Sequence, residues 1–437
     1  MNSFACRVFQ CCFGAGARLL PWRTPEVYTG DGSLLRVAGI LRENSLRHPF
    51  VIASRRQCAD EHFRRLQEVL DMQDILLSIF SAVEPNPSVE TVEKIAEQYR
   101  IDRCDCFLVI GGGSPMDAAK AAAALLVRPN RSLSSLAGLL KVRRRIPPFI
   151  AVPTTAGTGS ETTIAAVITG RDHRKYAVSD LCLIPRYAIL DPTLSAGLPP
   201  HITAETGMDA LTHAVEAYCN RFCSPKMKAH AMKAVSLIGA NLLTAYREPA
   251  NKAARMNMLT GSYEAGIAFT NAYVGYVHAI AHGIGGLYHV PHGEANAILL
   301  PKVLAAYGSA VYEPLARLER KVRAAWGKPE REVRMSGAEP EREVRMSGAG
   351  MERKVCASGA EDGNSKETDA VLAEAFIERI RRMNRSMGIP EQLAMLRKED
   401  VPELAARALK EGNPNYPVPV IWEEEQMRAF LMEQVPK

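Results

Sequence analysis

DCFLVIGGGSPMDAAK, Asp105 to Lys120, is the stretch that decides the fold. Its first half is a short run apolar on both faces, the pattern of a strand buried within a parallel sheet. Three glycines follow, and MDAAKAAAALLV then continues with helical spacing. A Gly-rich turn that opens a helix lets the backbone approach a ligand and turns free N–H groups toward a phosphate. The turn is not GxGxxG, and a tight turn without a ligand would carry the same glycines.

The same texture extends to both sides. HPFVIAS, PPFIAVPTT, AAVIT and YAILDP read as further strands, and CADEHFRRLQEVLDMQ and SVETVEKIAEQYR as helices. Apolar strands alternating with helices predict a Rossmann-like parallel sheet covered on both faces. A second loop, PTTAGTGSE from Pro153 to Glu161, also follows a strand. Its hydroxyls and glycines would line a nucleotide crevice at adjacent strand ends, or merely cap a turn. After SAGLPP the chain reads as one helix after another, which places a boundary near Ala196 to Pro200. The expected organisation is an N-terminal extension (1–24), an α/β dinucleotide-binding domain (25–198) and an all-α metal-binding domain (199–437). Two domains suit a chain of 437 residues.

The helical half carries the metal chemistry. Asp209 and His213 in GMDALTHAVEAY are four apart and share one helix face. His278 and His282 repeat that spacing, and His292 follows ten residues later. Four of the ten histidines fall within fifteen residues, too dense for scattered surface placement. Asp209, His213, His278 and His292 read as one site for a borderline divalent ion, Fe(II) or else Zn(II). The bland alternative is a pair of amphipathic helices with polar stripes.

Bulk properties exclude several classes. Hydrophobic residues make up 47% and charged residues 23%, an ordinary globular balance. A net charge of +6, with no basic tract interleaved with aromatics, gives no reason to expect nucleic acid. The ten cysteines form no paired CxxC motifs, which suits a reduced, cytoplasmic setting. No stretch is long enough to span a bilayer. The start, MNSFACRVFQCCFGAGARLLPW, is broken by Arg7, Gln10 and Arg18 and lacks a charged leader. It reads as a short amphipathic helix packed on the body rather than a signal peptide, with a membrane or partner contact as the alternative.

One segment is repetitive. EREVRMSGAEP begins at Glu330, EREVRMSGAGM at Glu341 and ERKVCASGAED at Glu352, with a worn copy, ERKVRAAWGKP, at Glu319. Eleven residues is close to three helical turns, but the repeated Ser-Gly weakens any helix. Such units are too short and polar to bury a core, so residues of about 328–366 are expected to form a surface insertion without a catalytic role.

GGGSPMDAAK, PTTAGTGSE, LDPTLSAGLPP, TGMDALTHAVEAY, HAIAHGIGGLYHVPHGEANAILLP and NRSMGIP together resemble the iron-containing (group III) alcohol dehydrogenase family, from about Pro25 to Met432. The resemblance implies a dehydroquinate synthase-like architecture, with a metal between a nucleotide-binding domain and a helical domain. It places Asp209, His213, His278 and His292 on the four metal ligands, and His282 beside nicotinamide and substrate as the proton-relaying catalytic residue. Gly112, Gly113, Ser114 and Asp117 match the pyrophosphate loop. Thr154, Thr155 and Thr158 match the second phosphate loop, Lys175 a lysine near the cofactor, and Asn86 a PNP loop on the adenine side. His289 is additional to the motif and is taken as cleft-lining.

The implied reaction is reversible oxidation of a small primary alcohol to its aldehyde with NAD(P), by a homodimer or larger homo-oligomer. Members that prefer NAD carry an acid just after the first strand. Here FVIASRR puts Arg55 at that place and Arg56 next, which favours NADP(H) over NAD(H). The alternative is a cofactor-assisted lyase of the dehydroquinate synthase type, whose glutamate and two-histidine ligand pattern differs from this one. A metalloprotease is disfavoured, because HExxH needs a glutamate where Ala279 stands.

Overall fold

The computed structural model describes residues 3–18, 20–171, 175–323, 326 and 367–436. Helix α1 (Ser3–Arg18) leads into β1 (Glu26–Thr29), α2 (Arg36–Glu43), β2 (Pro49–Ala53), α3 (Arg55–Cys58), α4 (Glu61–Asp71), β3 (Ser78–Phe80) and α5 (Val89–Ile101). Then follow β4 (Cys106–Gly111), α6 (Gly113–Val127), β5 (Gly138–Leu139), β6 (Phe149–Pro153), β7 (Ala165–Thr169), β8 (Lys175–Ser179) and β9 (Tyr187–Leu190).

Six of these strands form one parallel sheet, in the order β1-β9-β6-β4-β2-β3. β2, β4, β6 and β9 are buried at every position, which is why their sequences are apolar without alternation. Phe50, Phe107 and Phe149 pack with Ile95, Tyr99 and Ala119 on one face. Val51, Leu108 and Ile150 pack with Leu41, Phe63 and Leu66 on the other. From β2 the chain runs out to β3 and then returns to β4 on the other side of β2. The ends of β2 and β4 therefore flank the point where strand order reverses, the usual crevice for a nucleotide.

AAVIT differs from the expectation. It forms β7, but in a separate three-stranded sheet with β5 and β8, antiparallel to β8. Ala166 and Ile168 point inward while Val167 is exposed, the alternation of a half-buried strand. β1 and β3 lie at the edges of the main sheet and are only partly covered, so they lack the apolar run that marked the central strands.

From residue 200 onward all regular elements among the described residues are helical. They are α7 (Pro200–Cys219), α8 (Pro225–Arg247), α9 (Lys252–Ala272), α10 (Tyr276–Tyr288), α11 (His292–Tyr307), α12 (Tyr312–Val322), α13 (Asp369–Ser386), α14 (Val401–Gly412) and α15 (Glu424–Glu433), joined by short turns and 3-10 segments. α7 is buried almost all round and forms the spine of this half. Ser224 and Asn251 cap α8 and α9 by accepting from backbone N–H groups.

α1 does pack on the body, through the residues that break its apolar run. Arg7 donates to the carbonyls of Val418 and Pro419 (2.8 and 2.9 Å), and Gln10 to that of Tyr416 (2.7 Å). The repeats beyond Lys328 lie outside the described residues. The worn copy begins inside α12, where Glu319 is fully buried and paired with Arg379 at 2.8 Å, so that copy starts in the core rather than on the surface. No helix among the described residues is long and apolar enough to cross a membrane.

Candidate active site

Three helices converge on Asp209. It lies on α7, His278 on α10 and His292 opens α11. One ligand atom from each lies within 4.8 Å of the others. Asp209 Oδ1 is 3.6 Å from His278 Nε2 and 3.5 Å from His292 Nε2. Two donors bound at about 2.1 Å to a tetrahedral ion lie about 3.4 Å apart, so these spacings fit a four-coordinate divalent ion.

His213 stands one turn along α7, its Nδ1 3.9 Å from Asp209 Oδ1 and its ring stacked on His278 at 4.4 Å. That Nδ1 is buried and has no hydrogen-bond partner. A buried orphan nitrogen beside a converging carboxylate fits a missing ligand bond. Asn296 supports the same conclusion. Its Nδ2 donates to Asp209 Oδ1 (2.8 Å) and lies 3.1 Å from His292 Nε2 and 3.3 Å from His278 Nε2. The three candidate ligand atoms thus converge on one amide nitrogen.

Burial and charge act differently on the four residues. Burial pushes the pKa of Asp209 up, but His213, His292 and His278 together outweigh it and hold the carboxylate ionised. Burial drives His213 and His292 down, toward the neutral form that binds metals. For His278 burial is opposed and outweighed by Glu216 and Asp209, which raise its pKa to about 9.

Glu216 was not read from the sequence, yet it orients the site. Its Oε2 accepts from His278 Nδ1 (2.6 Å) and its Oε1 from the Val277 N–H (2.8 Å). That leaves His278 Nε2 facing Asp209, the usual bracing of a metal-binding imidazole. Gly275 permits the approach, because a Cβ there would come within 2.7 Å of Glu216 Oε1.

His282, one turn beyond His278, stacks on His292 at 4.9 Å and gives its Nδ1 to Glu411 Oε1 at 2.7 Å. Tyr416 donates to the same oxygen at 2.8 Å. Burial opposes ionisation of Glu411, but His282 and the hydroxyl of Tyr416 outweigh it and lower its pKa. His282 is thus held at Nδ1, and its Nε2 has no hydrogen-bond partner among the described residues. Its supports lie on α14 and the turn after it, more than a hundred residues away, where no local motif marks them. His289 caps the end of α10 with φ 57° and has no contact with the Asp209 cluster among the described interactions.

Across the cleft, the residues named for the cofactor meet around the ends of β4 and β6. Gly111 and Pro153 are paired in register. A Cβ on Gly112 would meet Thr155 at 3.0 Å, and one on Gly113 would meet Thr158 at 2.9 Å, so the two loops face each other closely. Asn86 N–H donates to Ser114 Oγ (3.3 Å), and Lys175 Nζ to Asn86 Oδ1 (2.6 Å). Asp117 accepts from Ser160 Oγ and the Val167 N–H, so both its oxygens brace the loops.

Lys120, quoted in the first motif but given no role there, is fully buried. It donates to Ser160 O, Thr163 O and Ala165 O at 2.6, 2.9 and 3.2 Å, locking the second loop to α6. Thr154 accepts from Gln57 of α3 at 3.0 Å. The residue directly past β2 is Ser54, which caps α3, and Arg55 comes one place later, exposed. Arg56 reaches the Gly197 carbonyl at 3.1 Å.

Comparison with known proteins gives one answer. The description "iron-containing alcohol dehydrogenase" matches residues 24–192, and the C-terminal part of the same family matches residues 203–435. A 1,3-propanediol dehydrogenase of Citrobacter freundii is 38% identical over 338 residues, 77% of each chain. A crystal structure of 1,3-propanediol oxidoreductase superposes with a TM-score of 0.81 at 30% identity, covering 95% of this chain and 100% of that one. A sulfoacetaldehyde reductase from Bifidobacterium kashiwanohense, solved with NAD+, gives a TM-score of 0.77 at 25% identity, covering 95% of this chain and 98% of that one.

Proposed function

The chain belongs to the iron-containing alcohol dehydrogenase family, and on that footing we propose that Asp209, His213, His278 and His292 hold one divalent ion, Fe(II) before Zn(II). The enzyme is an alcohol dehydrogenase of the iron type, and the lyase alternative is not favoured. The observation that carries the site assignment is the convergence of the Asp209, His278 and His292 donor atoms on Asn296 Nδ2, beside the orphaned His213 Nδ1.

When bound, the ion supplies Lewis-acid polarisation of a substrate oxygen, and the nicotinamide gives or takes the hydride. The chain's own residues do the rest. Glu216 aims His278. Glu411 holds His282 by Nδ1, leaving Nε2 to take the proton released by an alcohol or return it to an aldehyde oxygen. Gly112, Gly113 and Ser114 bind phosphate from one side, and Thr154, Thr155 and Thr158 from the other. Asn86 and Lys175 flank that cleft. In this reading residues 25–198 carry the nucleotide and residues 199–437 the ion.

The nucleotide is NADP(H) in preference to NAD(H). Support comes from the end of β2, where Ser54 offers no acid to repel a 2′-phosphate and the guanidinium of Arg55 is exposed, without a hydrogen-bond partner among the described residues. The substrate is a small primary alcohol or aldehyde. A homodimer is supported by the open edge of β1, where Val27 is exposed. A cytoplasmic setting is supported by the thiols of Cys104, Cys106, Cys219 and Cys223, which form no disulfide. Turnover of short aldehydes with NADPH and NADH, after reconstitution with Fe(II) or Zn(II), tests the whole reading. Equal activity in a metal-stripped enzyme would remove its basis.

A further inference from the structure

The opposite pole of the sheet carries a second basic cavity. Arg23, Arg143, Arg144, Arg145 and Arg186 line a space of about 580 Å³, open to solvent. It lies at the amino ends of the strands, just before β1, β6 and β9 begin. The proposed cofactor loops leave the carboxyl ends. Phe149, the first residue of β6, lines this cavity, whereas Pro153 at the far end of β6 adjoins Thr154. Along a strand of that length the two places are about 13 Å apart, with the buried sheet between them.

None of the five guanidiniums pairs with a carboxylate among the described residues. The one acid in the lining, Asp180, is already engaged. Its Oδ2 accepts from the N–H groups of Val142 and Arg143 (both 3.0 Å), and its Oδ1 from that of Cys182 (3.3 Å). The arginines are instead held by neutral groups. Arg23 donates to the carbonyls of Ile184 and Pro185, Arg144 to that of Val127 (3.3 Å), and Arg186 lies over the Tyr187 ring. Partial burial lowers the pKa of Arg23, and the charges of Arg186 and Arg145 lower it further.

The loop that presents three of them is held in an uncommon shape. Leu140 and Arg143 both have positive φ (54° and 47°), although neither is glycine. Asp180 pins that conformation through the two N–H groups it accepts. A pinned loop that gathers like charges gains from a counter-charge that offsets their repulsion.

We propose that this cavity binds a small polyanion carrying at least two phosphoryl groups. Guanidinium forks match phosphate oxygens in pairs, and five unneutralised charges exceed what one phosphate can balance. The volume also exceeds a single phosphate and falls within the range of small-molecule sites. Pro147 and Pro148, both half-buried, give the lining an apolar part on which a base could rest.

Titration calorimetry tests this on the full-length, metal-loaded enzyme saturated with nicotinamide nucleotide, so that the cofactor cleft is filled. The probes are inorganic tripolyphosphate, ATP and AMP, with metal content checked before and after. One saturable site per chain is expected for tripolyphosphate and for ATP, at least tenfold tighter than for AMP. Equal affinity of the first two indicates recognition of phosphates alone, and tighter ATP indicates a nucleotide. The double variant Arg144→Glu with Arg145→Glu should weaken both at least tenfold and leave the KM for the cofactor unchanged. If that variant fails to fold, Arg145→Ala should still weaken tripolyphosphate about fivefold. Absence of saturation, affinity unmoved by these changes, or displacement of the probe by cofactor would overturn the proposal.

Discussion

On the α/β side the candidate nucleotide groups sit on loops at strand ends, whereas on the helical side the candidate ligands are side chains drawn from three helices. Gly112, Gly113 and the PTTAGTGSE loop act within a few residues of the strands that position them. Asp209, His278 and His292 meet only because α7, α10 and α11 pack together, and two of the cleft's histidines are aimed from elsewhere. His278 depends on Glu216, and His282 on Glu411 and Tyr416. The strand-end loops thus start from geometry that their own strands set and are then braced by Lys120 and Asp117, while the helical side is only as good as its helix packing.

The sharpest way to break this contrast is His278→Ala. Bound metal should be lost, and activity should fall by about a thousandfold or more, equivalent to about 4 kcal/mol of lost stabilisation. Cofactor affinity should survive, because the α/β loops do not rest on α10. A variant that kept stoichiometric metal by elemental analysis would remove His278 from the site. Glu411→Gln should be milder, lowering kcat about a hundredfold with metal content intact, since it frees the tautomer of His282 without touching a ligand. Loss of metal in that variant would show that Glu411 supports the ligands rather than the proton path. Glu216→Gln should weaken metal affinity about 10- to 100-fold, the usual cost of losing a carboxylate behind a ligating imidazole. Metal titration with a chelator buffer measures it, and an unchanged affinity would make the 2.6 Å contact to His278 incidental.

The same contrast explains what was legible in the sequence. The central strands and both Gly-rich loops could be read because their pattern is local, an apolar run followed by glycine or threonine. The candidate ligands could be read because i,i+4 spacing marks a helix face. Glu216, Asn296, Glu411 and Tyr416 could not, since a polar residue on a helix gives no sign of which distant side chain it will meet. β7 was recognised as a strand but assigned to the wrong sheet, because AAVIT is too short for its alternation to stand out. The worn repeat, which lies before the expected insertion of about 328–366, shows the same limit. Glu319 resembles its polar copies, yet only the fold reveals that it faces Arg379 in the core.

Cofactor choice is a test of the α/β side alone. Arg55→Asp should shift preference from NADPH toward NADH by at least about tenfold. A charge-assisted arginine–phosphate contact is worth about 1.5–3 kcal/mol, and 1.4 kcal/mol is one decade. Because Arg55 is exposed, screening pulls the effect toward the lower end of that range. The comparison is kcat/KM for each nucleotide at saturating aldehyde. A wild type that already prefers NADH would mean that Ser54, the uncharged residue directly past β2, sets the choice.

The smallest effect is expected from deleting Glu330 to Ala360. The flanks of the insertion are already joined without it. Arg320 meets Asp369 at 2.6 Å and Arg323 meets Glu367 at 2.8 Å, so the chain leaves α12 and returns to α13 at nearly the same place. Those pairs are partly exposed and contribute little by themselves. The stronger tie is beneath them, where the buried Glu319–Arg379 pair joins α12 to α13. The deletion leaves about a dozen residues to connect the two ends, ample for so short a span. Shortening a connection reduces the entropy lost in closing it, by about 0.6 kcal/mol per halving of its length. Activity should therefore stay within about twofold, and Tm should hold or rise by a degree or two. Thermal melts and steady-state rates of the deletion protein decide it. A folded protein with most of its turnover lost would mean that the repeats reach the cleft or a neighbouring copy. The helical side would then depend on a segment that its own packing does not hold.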